Sequence, residues 1–222
     1  MQKGDFVRIN YIGRLESGEI FDLTFEDAAK KENIYNPNFK YKPIPVVVGA
    51  GFVISGLDNA ISAMQVGEKK TVELQPKDAF GERDQKLVKV IPQNMFKKQN
   101  MEPRQGMVID FSGVKGRVQS ASAGRVVVDF NNPLAGKKLR YELEIIEKIE
   151  KPEEQVEAVL EFFGVDNAKV TITGKITDVE AKLPAELKDK ISNLILEDVK
   201  INNENLERVR FIDIYEYQNQ KK

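Results

Sequence analysis

The chain has 222 residues, of which 41% are hydrophobic and 31% are charged, so it is long enough for two or three domains with a buried core in each. Its net charge is −1, which gives no overall basic field for nucleic acid. The absence of cysteine and histidine excludes disulfides, zinc clusters, thiol nucleophiles and Ser-His triads.

The first strands and helix are predicted from the residues before position 44. Asp5 to Tyr11 alternates polar and apolar side chains, which predicts a strand with one buried face. Gly13 to Gly18 indicates a hairpin turn, and Glu19 to Asp22 its returning strand. Residues 24–43 form a long polar excursion that contains a short helical run from Glu26 to Lys31.

One further helix and three more strands complete this part of the prediction. Ile44 to Val48, Lys69 to Leu74 and Leu139 to Ile145 have strand patterns. Between the first two, a short helix that Gly67 ends is predicted by an apolar stripe at Leu57, Ala60, Ile61 and Met64. Because one short helix accompanies several antiparallel strands, we predict the α+β class, with an antiparallel curved β-sheet wrapped around that helix.

Residues 84–130 interrupt this pattern and carry a net charge of +4. They read as a small β-rich domain inserted between two strands of the first fold, with a turn-like segment from Pro92 to Phe96. Its strand-like segments are Leu87 to Ile91, Gly106 to Phe111, Gly116 to Gln119 and Arg125 to Phe130.

Residues 151–222 carry a net charge of −4 and predict a separate α/β domain. Their order is a helix from Pro152 to Gly164, a strand from Ala168 to Val179, a second helix opened by Pro184, and a final strand from Val209 to Tyr215. The predicted division is therefore residues 1–83 with 131–150, then 84–130, then 151–222.

Eight side chains scattered through the first and last parts of the first fold are candidates for a pocket. Taken singly, each has an ordinary structural explanation, since strand aromatics usually pack a core and a carboxylate suits a turn or cap. The eight are Tyr11, Phe21, Asp22, Val53, Ile54, Leu57, Phe80 and Tyr141.

Four motifs in order change this interpretation. Gly-Glu-Ile-Phe-Asp at 18–22, the run from Val48 to Leu57, Val66-Gly67-Glu68 and Ala79-Phe80-Gly81-Glu82 together resemble the FKBP class of peptidyl-prolyl cis-trans isomerases. The segment from Val128 to Gly136 is similar to the point where the chain re-enters the catalytic domain in the SlyD-like branch, after an insert-in-flap domain. Residues 151–222 resemble the C-terminal extension of long archaeal members.

The resemblance implies a catalytic pocket walled by the eight candidates together with Ile44 and Val46. It implies that the backbone N–H of Ile54 bonds the substrate carbonyl, and that Asp22 shapes the pocket through a hydrogen bond to Tyr11. No cofactor and no metal are expected. The chain departs from the family pattern at three positions, which hold Leu57 instead of tryptophan, Phe80 instead of tyrosine and Asn132 instead of histidine.

The implied activity is rotation of Xaa–Pro bonds in unfolded or partly folded polypeptides, with macrolides as candidate inhibitors. A pocket that removes water from the amide favours its less polar, twisted transition state and requires no acid or base. The insert adds a chaperone function in this reading, since flexible methionines suit promiscuous apolar surfaces. The same residues also suit gap-filling in a small core. The predicted client-binding residues are Ile91, Met95, Phe96, Met101 and Met107.

Two alternatives remain at this point. The chain is a holdase chaperone with a weak or vestigial isomerase pocket, or residues 151–222 have the main role as a docking or dimerisation platform. No apolar stretch approaches the length of a membrane span or a signal-peptide core, so a membrane is not an expected partner and a cytoplasmic location is expected. Because the net charge is −1, a nucleic acid is not an expected partner either.

Overall fold

The computed structural model of the protein describes residues 1–97, 101–111 and 113–213. These divide into two compact units, one of residues 1–73 with 140–213 and the other formed by the described residues between 74 and 139. The α-helices are α1 (Glu26–Lys31), α2 (Ser55–Ser62), α3 (Gln93–Lys97), α4 (Pro152–Phe162) and α5 (Ala185–Asp198). The strands are β1 (Phe6–Leu15), β2 (Ile20–Leu23), β3 (Ile44–Val47), β4 (Lys69–Leu74), β5 (Val88–Pro92), β6 (Val108–Phe111), β7 (Val114–Ser122), β8 (Arg125–Asp129), β9 (Leu139–Ile149), β10 (Lys169–Thr173), β11 (Ile176–Glu180), β12 (Lys200–Ile201), β13 (Glu204–Asn205) and β14 (Arg208–Ile212).

A five-stranded sheet organises the first unit, with the order β2-β1-β9-β4 and with β3 also paired to β1. Strand β1 is long enough to serve two antiparallel partners. Its first half pairs with β3 from Phe6 to Ile9, and its second half pairs with β2 from Ile12 to Arg14. Helix α2 buries its apolar stripe, and the predicted α+β class with antiparallel sheets and few helices is confirmed.

Two predicted boundaries in the first unit, one of a strand and one of a helix, are wrong. Strand β1 continues to Leu15, so Gly13 lies inside the strand and the turn is confined to the residues up to Gly18, whose N–H donates to the Leu15 carbonyl at 2.9 Å. Helix α2 ends at Ser62, and Met64 follows it as a buried residue outside the helix. Gly67 therefore does not end the helix. It lies five residues beyond Ser62, and its N–H donates to the carbonyl of Ile145 on β9 at 2.8 Å.

The C-terminal residues build a second core against the same sheet. Phe6 and Val47 are buried in one cluster with Val156 and Val159 of α4 and with Ile191 of α5. Helix α4 contacts β3. The described part of the C-terminal residues, 151–213, therefore packs against this sheet, and the domain boundaries given above stay a prediction.

The segment predicted as one strand from Ala168 to Val179 is instead a hairpin. Strands β10 and β11 pair antiparallel on either side of Gly174, which adopts a φ of +60° that glycine tolerates. Strand β14 then pairs with β11 in parallel. This strand ends at Ile212, and the end of the predicted final strand, Ile214 and Tyr215, lies outside the described residues.

Ion pairs join the polar excursion and β1 to the C-terminal residues. Glu161 accepts from Arg8 at 2.7 Å and from Lys42 at 2.5 Å, and Lys40 pairs with Asp166. Burial alone would raise the pKa of Glu161, but hydrogen bonds and charge from Arg8 and Lys42 outweigh it and lower this pKa below its usual value. The carboxylate is thus held in its ionised form.

The second unit contains a four-stranded antiparallel sheet in the order β5-β8-β7-β6. The segment from Pro92 to Phe96 was predicted to be turn-like, whereas residues 93–97 form the short helix α3. The helix places Phe96 in a small core at 1% exposure, which explains why this segment is helical. The other buried members of this core are Ile109, Val118, Val126 and Val128.

No helix within the three described ranges is long and apolar enough to cross a membrane.

Candidate functional site

The two polar groups of the predicted pocket lie on neighbouring strands and contact each other. The hydroxyl of Tyr11 donates to Asp22 Oδ2 at 2.7 Å, so the structure contains the hydrogen bond expected between them. The backbone around Tyr11 is fixed by Thr24, whose hydroxyl accepts from the Tyr11 N–H at 2.9 Å and whose N–H donates to the Tyr11 carbonyl at 3.0 Å. Asp22 is itself exposed, so this carboxylate lies at the rim of the aromatic group and not beneath it.

Three aromatic rings form a wall beside this pair. Tyr141 of β9 meets Phe21 edge to face, with ring centroids 5.6 Å apart, and meets Tyr11 at 5.9 Å. Edge-to-face and tilted pairs at these distances are favourable and orient each ring. Tyr141 is 3% exposed, whereas Phe21 and Tyr11 are half-buried, so an anchored ring supports two accessible ones.

Gly13 makes room for this wall, and the sequence analysis did not identify it. It faces Asp22 in the β1–β2 register, next to an irregularity at Arg14. A Cβ atom at Gly13 would lie 2.7 Å from Cζ of Phe21 and 3.0 Å from Cε1 of Tyr141. A glycine inside a strand often marks such a close approach, and that signal was available in the sequence.

Both tyrosines remain neutral phenols. Burial, followed by the charge of Asp22 and the hydrogen bond to it, raises the pKa of Tyr11 far above its ordinary value. Burial and the charge of Asp22 likewise raise the pKa of Tyr141. Ionisation would place a second negative charge in a poorly solvated site beside a carboxylate. These groups can donate hydrogen bonds but are not poised to exchange protons.

The loop before α2 and the first turn of that helix carry three more predicted pocket residues. Val53 and Ile54 are half-buried, and Leu57 is 4% exposed. Ile54 is the N-cap residue of α2, and its carbonyl accepts from the N–H groups of Leu57 and Asp58 at 3.0 Å. Its own N–H precedes the first helical turn and therefore takes no part in the intrahelical hydrogen bonds.

Strand β3 carries the remaining two wall residues assigned to this unit. Ile44 lies opposite Ile9 of β1, and Val46 lies opposite Val7. Ile44 is half-buried, whereas Val46 is 1% exposed and belongs to the hydrophobic core. Val46 thus supports the sheet from within, and Ile44 is the more accessible of the two.

The other predicted site residues belong to the second unit. Phe80 is half-buried just after a 3₁₀ turn at Pro76–Asp78, and its part in the pocket stays a prediction. Phe96 is buried, and Ile91 and Met101 pack against the same core, so for these three the core interpretation fits better than a client surface. The exposed predicted client-binding residues are Met95, at 52%, and Met107, at 40%.

Comparisons with known proteins identify the family of this chain. Residues 1–98 match the family described as FKBP-type peptidyl-prolyl cis-trans isomerase, and residues 89–134 match the family described as FKBP26, IF domain. The short-type peptidyl-prolyl cis-trans isomerase of Methanocaldococcus jannaschii is 38% identical over 145 residues, which are 65% of this chain and 92% of that protein.

Two bacterial relatives extend the comparison. A probable FKBP-type 16 kDa peptidyl-prolyl cis-trans isomerase of Pseudomonas fluorescens is 32% identical over 146 residues, covering 64% of this chain and 87% of the relative. The FKBP-type peptidyl-prolyl cis-trans isomerase SlyD of Escherichia coli K12 is 32% identical over 118 residues, covering 51% and 60%. The chain therefore belongs to the FKBP-type peptidyl-prolyl cis-trans isomerases, as a SlyD-like member that acts on proline-containing polypeptides.

Proposed function

We propose that the aromatic wall of Tyr11, Phe21 and Tyr141, together with the loop at Val53 and Ile54, holds the proline of the substrate. The observation that carries this proposal is the preformed contact of the three rings above Gly13, with Tyr11 hydrogen-bonded to Asp22. A wall that is already ordered does not have to be organised when substrate binds, which reduces the cost of binding.

Catalysis in this proposal consists of holding the proline ring and removing water from the preceding carbonyl. The uncatalysed rotation has a barrier of about 18–20 kcal/mol, and each tenfold acceleration requires about 1.4 kcal/mol. The N–H of Ile54 donates a hydrogen bond to a carbonyl of the substrate, while the apolar rings exclude water from the planar, more polar ground state. Asp22 fixes Tyr11 and shapes the local field, and no proton is transferred.

Substitution of the wall tests this assignment. Phe21→Ala and Asp22→Ala are expected to lower kcat/KM on an Xaa–Pro tetrapeptide, and to lower catalysis of a proline-limited refolding reaction at substoichiometric protein. Phe39→Ala, in the exposed aromatic stack of the polar excursion, is the matched control and should retain activity. Wild-type rates in both wall variants would contradict the assignment, and no acceleration by the unaltered protein would leave only the holdase reading.

We further propose that the inserted region binds unfolded clients through its exposed apolar side chains. Besides Met95 and Met107, the second unit exposes Val90 at 62%, Val108 at 53% and Val114 at 56%. Solvent-exposed aliphatic and methionine side chains suit a binding surface that adapts to many sequences. Tethering a client in this way raises the local concentration of its prolines to about millimolar values.

Two variants test the client surface. Removal of residues 84–130 should leave activity on short peptides nearly intact while lowering activity on whole proteins. The double variant Met95→Gln and Met107→Gln should reproduce the second effect alone, with Lys89→Gln and Lys115→Gln as the control pair at exposed charged positions. Equal losses on peptides and proteins would indicate a structural role for the insert. Macrolide binding, dimerisation through residues 151–222 and a cytoplasmic location stay predictions.

A further inference from the structure

A C-terminal helix reaches the loop that carries two of the pocket residues. The ring of Phe162, the last residue of α4, lies against the ring of Phe52 with centroids 4.3 Å apart and the planes tilted by 45°. Phe52 directly precedes Val53 and Ile54 in the chain. The contact therefore joins residues 151–222 to the segment assigned to substrate binding.

The loop between β3 and α2 needs such support, because its own backbone is permissive. Gly49 and Gly51 both have positive φ, at +79° and +74°, in a region that glycine enters readily. One end of the loop is held to α2, since the Gly49 N–H donates to both carboxylate oxygens of Asp58 at 2.9 and 3.0 Å. The other end of the loop, where Phe52 lies, is beyond the strand pairing of β3, which ends at Val47.

Phe162 is in turn held by its own neighbours. Its ring meets Phe163 edge to face at 5.4 Å, and Lys190 of α5 lies 5.1 Å from the Phe163 ring. Phe163 packs against the buried core that α4 and α5 share with Phe6. Phe52 also packs against this core directly, and the ring of Phe162 adds a further contact that holds it.

We propose that Phe162 is a positioning residue for prolyl isomerisation, acting through Phe52 on Val53 and Ile54. The C-terminal residues thereby contribute to substrate binding by the isomerase site, besides any contact they make with other proteins. This inference rests on the proposed site, since Phe162 touches neither the substrate nor the predicted wall. The side chain fixes the loop in the conformation that presents the Ile54 N–H.

The kinetic signature follows from this role. A loosened loop must be ordered each time substrate binds, and the ordering affects the bound substrate and the transition state alike. Loss of such uniform binding raises KM and leaves kcat nearly unchanged. Fixing the backbone of one residue costs about 1–2 kcal/mol, which corresponds to a rise in KM of about five- to thirtyfold.

Phe162→Ala in the full-length protein tests the proposal with a tetrapeptide substrate. Phe162 is 36% exposed, so truncation removes a partly solvated ring and not a buried one. We expect KM to rise about tenfold with kcat within twofold, and ¹⁵N relaxation to show lower order parameters for the amides of Val53 and Ile54. Phe162→Leu, which retains an apolar contact, should restore most of the affinity.

Phe211→Ala is the matched control for a general loss of packing. Phe211 packs against the same core from β14, beneath Lys188, and its removal should lower the urea midpoint without raising KM. Wild-type KM and loop order in Phe162→Ala would overturn the proposal, as would an equal rise of KM in Phe211→Ala. Phe21→Ala in the same assay separates the two inferences: if it has no effect, the pocket assignment itself fails, whereas its loss of activity beside a normal Phe162→Ala refutes the positioning role alone.

Discussion

Gly13→Ala adds one methyl group at the closest approach of β1 to the aromatic wall. The new Cβ would lie 2.7 Å from Cζ of Phe21 and 3.0 Å from Cε1 of Tyr141. Tyr141 is 3% exposed and has little room to move, whereas Phe21 is half-buried. The substitution should therefore displace the Phe21 ring and leave the strands in place.

The size of the displacement sets the expected effects. Ordinary contact begins at 3.4 Å, so the ring edge must retreat by about 0.7 Å. Overpacking of this kind costs about 1–3 kcal/mol, and the lower entropy of the unfolded alanine chain offsets about 0.4–1 kcal/mol of it. We expect a net loss of unfolding free energy of about 0.5–2 kcal/mol. Because a misplacement of about 1 Å can lower a rate by about 100-fold, we expect kcat/KM to fall by about ten- to fiftyfold.

The assay pairs isomerisation of an Xaa–Pro tetrapeptide with urea unfolding of the same variant. Gly116→Ala is the matched control, because a Cβ there would lie 2.5 Å from Cγ1 of Val128 and 2.8 Å from the ring of Phe130, inside the second unit. This control should lose comparable stability while its tetrapeptide kcat/KM stays within about twofold of wild type. The reasoning is refuted if Gly13→Ala retains full kcat/KM, or if both alanine variants lose activity equally.

Three further predictions follow from the electrostatics. Tyr11→Phe removes the hydroxyl that donates to Asp22 and should lower kcat/KM by about three- to tenfold in a peptide assay. A wild-type rate in that assay would contradict this role of the hydroxyl. The pKa of Tyr11 and of Tyr141 is raised above about 10, so the stability they contribute is present below pH 10 and lost as pH rises through the folded values. Ultraviolet titration should accordingly show that Tyr11 and Tyr141 ionise only on alkaline unfolding, and their ionisation in the folded protein near pH 10 would argue against this environment. The pKa of Glu161 is lowered, so its contribution is present above the unfolded value of about 4.3 and lost as pH falls through the folded one. Glu161→Gln should lower the unfolding free energy by about 1 kcal/mol at pH 7 and by less near pH 3.5. The loss at pH 7 should exceed that of the control Glu157→Gln at an exposed position. A loss that does not change with pH would contradict the lowered pKa of Glu161.

Elements with a clear local pattern were predicted with their bounds. The helix α1 from Glu26 to Lys31 and the strand β4 from Lys69 to Leu74 have the predicted limits. The apolar stripe of α2 is also buried as the periodicity indicated. In β4 and α2 the side-chain period alone distinguishes a buried face from an exposed one, so no knowledge of distant contacts is required.

Features that depend on distant contacts could not be predicted in this way. The helix at residues 93–97 is a single turn around the buried Phe96, too short for any periodicity to appear. The hairpin at Gly174 was missed for another reason: the residues on both sides of the turn have strand patterns, although a glycine within such a run is itself a local turn signal. The steric role of Gly13 depends on where Phe21 and Tyr141 meet; a glycine inside a strand signals a close approach, but the sequence does not show which distant side chains make it.

The burial of β1 on both faces explains how an added C-terminal region can reach the catalytic fold. The sequence predicted one buried face, yet Phe6, Val7 and Ile9 are each no more than 1% exposed. Successive side chains of a strand point to opposite faces, so Val7 and Ile9 share one face while Phe6 turns to the core that contains α4. The same strand continues to Gly13 beneath the aromatic wall. The strand thus contacts the C-terminal core near its beginning and the aromatic wall near its end, and the contact of Phe162 with Phe52 connects α4 to the loop at Ile54. Selection on residues 151–222 in this chain is therefore expected to act on catalysis as well as on stability.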